Sequence, residues 1–252
     1  MKGRFFVDPS AVKDGAVRLS REESHHAISV LRIRTGDAVE LLDGSGNSFR
    51  GIVSGLKDKR LLVSVDKSVS SVRATGRSVV HQPIQITLAA SVIKPESMEI
   101  LIQKACELGA QRIVPIMTER SVVKLSKERW ESKHERWRKI VLESCKQCGR
   151  TIPLEMMPVQ SYKAFLESAR SFDHILIPTL AVLGEPLSNH LKKVHSGTIL
   201  AMVGPEGDFT PREVQWAIEA GAKPVTLGQW VLRSETAALY LLSVLQFFYQ
   251  EC

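Results

Sequence analysis

A chain of 252 residues, 44% hydrophobic and 24% charged, has the size and balance of one large or two smaller globular domains. That balance excludes a disordered or low-complexity chain, and no internal repeat with a period of about 20–50 residues is present. The net charge of +7 is unevenly placed: residues 1–80 hold 14 Lys/Arg against 9 Asp/Glu, and residues 112–150 hold 11 against 5. Two cationic surfaces point to a polyanion partner, RNA or DNA.

Residues 1–72 read as short alternating segments at Arg4–Val7, Ala16–Leu19, Ala38–Leu42, Ser48–Val53 and Leu61–Val65. Asp43-Gly44-Ser45-Gly46-Asn47 is a hairpin-type loop between two of them. One helical stretch interrupts, Arg21–Leu31, with Ser20 as its candidate N-cap and Glu23 three residues on. This pattern predicts a small β-barrel with one helix. Residues 70–83 read as a linker ending at Pro83.

After Pro83 the texture changes. Ile84–Ser91 is a buried-strand run, and Pro95–Leu108 has helical periodicity ending at Gly109. Arg112–Met117 is a strand and Ser126–Gln147 a long charged amphipathic helix ending at Gly149. Ser161–Arg170 is a helix, and His174–Ile177 and Thr198–Val203 are strands. Thr210-Pro211-Arg212-Glu213 is a capping box with proline at the first helical position, and that helix ends at Gly221. Pro224–Leu227 is a strand and Ser234–Gln250 the last helix. Strands alternating with helices predict an α/β domain with a largely parallel sheet.

Met1–Ser10 carries no apolar signal region. The longest apolar stretch, Ala237–Phe248, is broken by Ser243 and Gln246 and is shorter than the ~20 residues of a membrane span. A cytoplasmic protein is expected. Cys106, Cys145, Cys148 and Cys252 do not make a disulfide framework. Cys145-x-x-Cys148 is a single pair with no histidine pair beside it, so it reads as two thiols one helical turn apart, and no metal is expected.

The chemistry is placed at two turns. Gly204-Pro205-Glu206-Gly207-Asp208-Phe209 and Leu227-Gly228-Gln229-Trp230-Val231-Leu232-Arg233-Ser234-Glu235-Thr236 each follow a strand and open onto a helix. Ligands of open α/β sheets bind beyond the carboxyl ends of strands. Gly204 and Gly207 allow close approach of a ligand or a positive φ. Glu206 and Asp208 disfavour a phosphate cradle, and neither a phosphate-binding G-x-x-x-x-G-K-[ST] loop nor a G-x-G-x-x-G dinucleotide turn is present. The pocket suits a cationic or neutral ligand with amine and hydroxyl donors. Ser234 or Thr236 could cap the last helix, and Arg233 and Glu235 could form a surface ion pair.

These residues resemble the SPOUT class of RNA methyltransferases, and within it the bacterial 16S ribosomal RNA (uracil-N3)-methyltransferases, whose tail is close to GPEGGF…LG…ILR-x-ETA. His26–Gly36, Lys104–Gly109, Pro115–Val123 and Glu143–Arg150 fit the same family, so the likeness covers nearly the whole chain. It implies a PUA-like β-barrel over 1–72 for RNA binding and a SPOUT α/β domain with a trefoil knot over 73–252. It also implies a homodimer with its active site near the interface, and S-adenosylmethionine as methyl donor. The cofactor loops it implies are Ile177-Pro178-Thr179, Gly204–Gly207 (with Pro205 and Glu206) and Leu227–Leu232 (with Gly228 and Val231). Arg233, Glu235 and Thr236 match LR-x-ETA directly. Two departures stand out: Asp208 replaces the usual second glycine, and residues 178–186 match no pattern.

The implied reaction is attack of uridine N3 on the sulfonium methyl, with loss of the imide proton. A cation near uracil O2 or O4 would stabilise the developing imidate, and Arg150, Arg120 and Arg233 are the candidates. Arg32, Arg34, Lys124 and Arg150 are the candidate RNA contacts. Trp230 is a candidate stacking surface, while His25, His26 and His81 have no evident partner that would make one of them a base. The alternative function is a non-catalytic dimeric RNA-binding protein, against which the intact LRSETA segment speaks.

Overall fold

The computed structural model describes residues 2–11, 15–65, 84–121, 123, 126–192, 194 and 196–250. The linker expected at 70–83, with His81, and also Lys124 and Cys252, lie outside the described residues. The chain forms two compact units: Met1–Val80 with Cys145–Pro153, and His81–Ser144 with Leu154–Cys252.

The first unit holds β1 (Arg4–Phe6), β2 (Ala16–Arg18), α1 (Arg21–Ser29), β3 (Ala38–Leu42), β4 (Ser48–Lys57) and β5 (Arg60–Val65). They form a five-stranded sheet in the order β1-β3-β4-β5-β2. β1 runs parallel to β3 and the other pairs are antiparallel. The period-two pattern of the sequence puts Val39, Leu41, Val53, Leu61 and Val63 on the buried face with Phe5. α1 starts where expected: the Ser20 hydroxyl accepts the Glu23 amide at 3.0 Å. Ser24 and Ala27 face inward, and the Ser24 hydroxyl accepts the Leu61 amide at 3.0 Å. β4 is longer than the sequence suggested and turns into β5 through Asp58-Lys59.

Cys145–Pro153 belongs to this unit for an identifiable reason. Arg4 donates to the carbonyls of Lys146 (2.9 Å) and Gln147 (3.0 Å), satisfying the open end of a helix, and pairs with Glu40 at 2.9 Å. Lys146, only 8% exposed, pairs with Glu23 at 3.0 Å.

The second unit contains β6 (Ile84–Ser91), α2 (Pro95–Glu107), β7 (Arg112–Met117), most of α3 (Lys127–Cys148), β8 (Glu155–Met156), β9 (Gln160–Ser161) and α4 (Tyr162–Ala169). It continues through β10 (His174–Pro178), β11 (Glu185–Pro186), α5 (Leu187–Leu191), β12 (Gly197–Val203), α6 (Pro211–Glu219), β13 (Lys223–Thr226) and α7 (Ser234–Gln250). The sheet order is β11-β13-β10-β12-β6-β7-β8, with β9 also on β7, and every pair is parallel. The central strands β6 and β12 are nearly continuous apolar runs because both of their faces are covered. The expected long elements are all present. The two-residue strands β8, β9 and β11 and the short α5 were not anticipated, since elements of that length carry no periodicity. No helix among the described residues is long and apolar enough to cross a membrane.

Candidate active site

β13, β10 and β12 are parallel neighbours, so their carboxyl ends share one edge of the sheet. Ile177-Pro178-Thr179, Gly204–Gly207 and Leu227–Leu232 leave from that edge. Three segments spread over more than fifty residues of sequence are thereby brought together, as the sequence reading required.

The Gly204 loop is a tight turn in which the Asp208 amide donates to the Pro205 carbonyl at 2.9 Å. A Cβ on Gly204 would lie 3.1 Å from Phe209 Cδ2 and 3.2 Å from Asp208 Oδ1, so this glycine permits close packing. Neither Gly204 nor Gly207 adopts a positive φ; that conformation falls on Asp208, at 61°. Glycine would occupy it without strain, and aspartate is one of the few other residues that tolerates it. The Asp208 carboxylate explains why it is there. Its Oδ2 accepts the Thr179 hydroxyl (2.9 Å) and the Leu180 amide (2.7 Å), and its Oδ1 accepts the Phe209 amide (2.7 Å). Thr179 Oγ1 accepts the Ala181 amide in turn at 3.1 Å. The 178–186 segment, which resembled nothing, is thus tied to the Gly204 loop by the one residue that departs from the pattern. Glu206 is exposed, and its Oε1 accepts the Lys94 amide at 3.4 Å beside the start of α2.

A second loop reaches the same turn. Ser91, Thr118 and Ser121 form a buried hydroxyl chain: Ser91 Oγ lies 3.3 Å from Thr118 Oγ1, which lies 2.9 Å from Ser121 Oγ. The Ser121 hydroxyl also accepts the Thr118 amide at 3.0 Å. This holds Arg120 where its Nη1 donates to the Gly207 carbonyl at 2.6 Å.

The expected capping box of α6 is complete: Thr210 Oγ1 accepts the Glu213 amide, and Glu213 Oε2 accepts the Thr210 amide. Glu213, 3% exposed, does more than cap. Its Oε1 accepts the Glu119 amide at 2.8 Å, so it joins the Arg120 loop to the helix that follows the Gly204 turn. The Tyr162 hydroxyl donates to the Glu213 carbonyl at 2.9 Å, and the Tyr162 and Phe209 ring centroids are 5.5 Å apart. Burial, and then the Glu213 charge, push the Tyr162 phenol well above its usual range, so it stays a donor. The sequence reading did not single out Glu213 beyond its cap, nor Tyr162, because their partners lie 51 to 94 residues away.

The third loop is open. Gly228 has φ 130°, and a Cβ there would meet nothing within 4 Å. Trp230 and Val231 are each 76% exposed, Leu227 and Leu232 are half-buried, and Arg233 and Thr236 are exposed. Arg233 accepts the Ala237 amide through its carbonyl at 2.8 Å. No ion pair links Arg233 to half-buried Glu235 among the described residues, correcting the expected pairing. Residues two apart on a helical turn point to different faces.

Arg32, Arg34 and Arg150 lie in the first unit, Arg120 and Arg233 in the second. Arg32 and Arg34 are exposed on either side of buried Ile33, and Arg150 Nε donates to the Ile152 carbonyl at 2.7 Å. His25 Nδ1 is 3.4 Å from Ser29 Oγ. Cys145 is buried and Cys148 exposed, with the Cys148 thiol pushed up chiefly by partial burial. Among the described residues no group of three or more His, Cys, Asp or Glu converges as a metal site.

Residues 80–246 match the family model of an RNA methyltransferase domain, and residues 19–66 that of an RNA methyltransferase PUA domain. Fold and site therefore define an RNA methyltransferase of the SPOUT class carrying an N-terminal PUA-like domain. The chain is 32% identical over 234 residues to ribosomal RNA small subunit methyltransferase E of Bacillus subtilis (strain 168), covering 91% of this chain and 89% of that protein. A methyltransferase from Legionella pneumophila, solved with the bound cofactor SAM, superposes with a TM-score of 0.85 at 30% identity, over 98% of this chain and 97% of that one. Ribosomal RNA small subunit methyltransferase E from Neisseria gonorrhoeae, bound to S-adenosyl methionine, gives a TM-score of 0.80 at 29% identity, over 99% and 98%. The chain belongs to the ribosomal RNA small subunit methyltransferase E family.

Proposed function

We propose that this protein uses S-adenosylmethionine to methylate N3 of a specific uridine in 16S ribosomal RNA of the small subunit. The observation that carries this reading is the meeting of the 177–179, 204–207 and 227–232 loops at one sheet edge in a member of this family. Their chemistry suits the cofactor: strand-end backbone groups for a nucleoside, an open face at Gly228, and the exposed carboxylate of Glu206 for amino and sulfonium charge. Ile177, Pro178, Gly204, Pro205, Gly207, Leu227, Gly228, Val231 and Leu232 would line it, with Glu235 and Thr236 at the head of α7.

When bound, S-adenosylmethionine supplies a methyl group activated by its sulfonium. The protein's own part is mainly alignment and exclusion of water, and positioning of this kind lowers a barrier by ~7–11 kcal/mol. Arg120 and Asp208 hold the loops in place. Arg233, exposed and without an ion pair among the described residues, is assigned to the uracil oxygens, where it would stabilise the anion left as N3 gives up its proton. Arg150 is assigned to the same charge or to a neighbouring phosphate, and Arg32, Arg34 and Lys124 to RNA phosphates. The target uridine must be exposed or flipped to be reached, and Trp230 offers a surface for it.

The same reading takes 1–72 as the RNA-binding domain and 73–252 as the knotted catalytic domain, in a cytoplasmic homodimer with its active site near the dimer interface. Calorimetric titration with S-adenosylmethionine and S-adenosylhomocysteine tests the cofactor: heat of binding is expected, and none at high protein concentration favours the binding-only alternative. Deleting the gene and mapping reverse-transcription stops on 16S RNA tests the target. Methylation at N3 blocks base pairing, so one stop should vanish, and persistence of every stop overturns the assignment.

A further inference from the structure

The first unit carries a groove that no part of the site above uses. α1 presents Arg21, His25, Ile28 and Ser29 outward, at the i, i+4, i+7 and i+8 positions of one helical face. The end of β4 and its turn supply Leu56, Asp58 and Lys59. Between them lies a cavity of about 610 Å³, within the range of sites that hold small ligands. We propose that this groove seats one unpaired nucleotide of the RNA substrate, base against His25, Ile28 and Leu56, phosphates against Arg21 and Lys59. This rests on the proposed function and adds a nucleotide contact in the first unit.

Charge complementarity selects the occupant. Arg21 and Lys59 have no ion-pair partner among the described residues, and the one acid in the groove, Asp58, faces Arg18 at 3.6 Å. Two unanswered cations flank an apolar floor in which Ile28 is 40% exposed and Leu56 59% exposed. Two apolar side chains are too small a surface for a protein partner, but one base with a phosphate on either side matches both the floor and its rims. The His25 ring, steadied by Ser29 at 3.4 Å, offers the flat face on which unstacked bases settle.

The turn supplies an independent observation. Lys57 pairs with Arg60, so Asp58-Lys59 is a two-residue hairpin loop, and both residues have positive φ (51° and 60°). Such loops favour Asn-Gly or Asp-Gly. A lysine in the second position is strained, and its ammonium has no ion-pair partner among the described residues. Strained backbone of this kind concentrates at functional sites.

The test uses the full-length protein and a labelled single-stranded RNA copying the target segment, followed by fluorescence anisotropy across a salt series. Arg21→Ala with Lys59→Ala is expected to weaken binding at least tenfold and to flatten the salt slope by about 1.4, at about 0.7 per lost phosphate contact. Ile28→Ser is expected to weaken binding without changing the slope. Lys59→Gly is the decisive variant: glycine relieves the turn, so thermal stability should hold or rise while RNA affinity falls. Unchanged affinity and slope in the double variant, with wild-type RNA binding intact, overturn the seat alone. No RNA binding by the wild type overturns the seat together with the RNA half of the proposed function, while S-adenosylmethionine titration reports separately on the cofactor half.

Discussion

Asp208 accepts the hydroxyl of Thr179, 29 residues earlier in the chain, at 2.9 Å, and so joins two loops that leave different strands of the sheet. Replacing Asp208 with glycine removes the strain of φ 61°, worth about 1–2 kcal/mol. It also removes hydrogen bonds to a charged acceptor worth about 1.5–3 kcal/mol each when well shielded, and less at this partly exposed site. The two effects nearly cancel, so the melting temperature should move little. The affinity for S-adenosylmethionine should fall about tenfold, because residues 179–181 lose their anchor, and Asp208→Asn should fall between. An unchanged dissociation constant in the glycine variant would mean that the 179–181 loop is held by something else.

Arg120 is exposed and holds the Gly207 carbonyl at 2.6 Å. Arg120→Ala should change stability by no more than about 0.5 kcal/mol, as for an ordinary surface position. Steady-state kinetics should show a raised KM for S-adenosylmethionine with a smaller change in kcat. A loss confined to kcat would instead place the guanidinium on the uracil.

Glu206→Ala removes an exposed carboxylate whose one hydrogen bond among the described residues is the long one to the Lys94 amide. Folding should be untouched, and calorimetry should show cofactor affinity weakened about tenfold, or about 1.4 kcal/mol. Equal affinity would remove Glu206 from the ligand's surroundings.

Glu213→Ala deprives the buried amide of Thr210 and the part-buried amide of Glu119 of their acceptor. Leaving buried donors unsatisfied costs about 1–3 kcal/mol, and the melting temperature should drop by roughly 2–12 °C. Glu213→Gln keeps an acceptor and should recover part of the loss. A calorimetric scan matching the wild type would show that these amides find other partners.

Asp173 sits at the start of β10, where its carboxylate accepts the amide (2.8 Å) and hydroxyl (2.9 Å) of Thr198 on β12. These bonds, the amide's first, hold its pKa below the ordinary 3.8. A group depressed on folding contributes stability above its unfolded pKa and loses it as pH falls through the folded one. In urea titrations, wild type should therefore be more stable than Asp173→Asn at pH 7, with the gap closing below pH 3.8. A constant gap would mean that the charge of Asp173 contributes nothing.

Much of this was legible in the residues themselves. Ser20 and Thr210 cap the helices they were assigned, and Gly109 and Gly221 have the positive φ expected just past a helix end (78° and 104°). The three segments singled out as ligand turns do leave from the carboxyl ends of strands. The possible Arg233–Glu235 ion pair does not form among the described residues, because side chains two apart do not face each other. Asp208 could be flagged as a departure, but not explained, since its meaning lies in Thr179 and Leu180.

The sequence by itself determined the order of elements, their caps and the turns at which a ligand could sit, because each of those signals acts within about one helical turn or two strand positions. The tertiary structure alone decided that β12 lies between β10 and β6, and that Asp208, Arg120 and Glu213 act across gaps of 29, 87 and 94 residues. Hydrogen bonds of that reach form only once the sheet has packed and brought the strand ends to one edge, so no local pattern announces them.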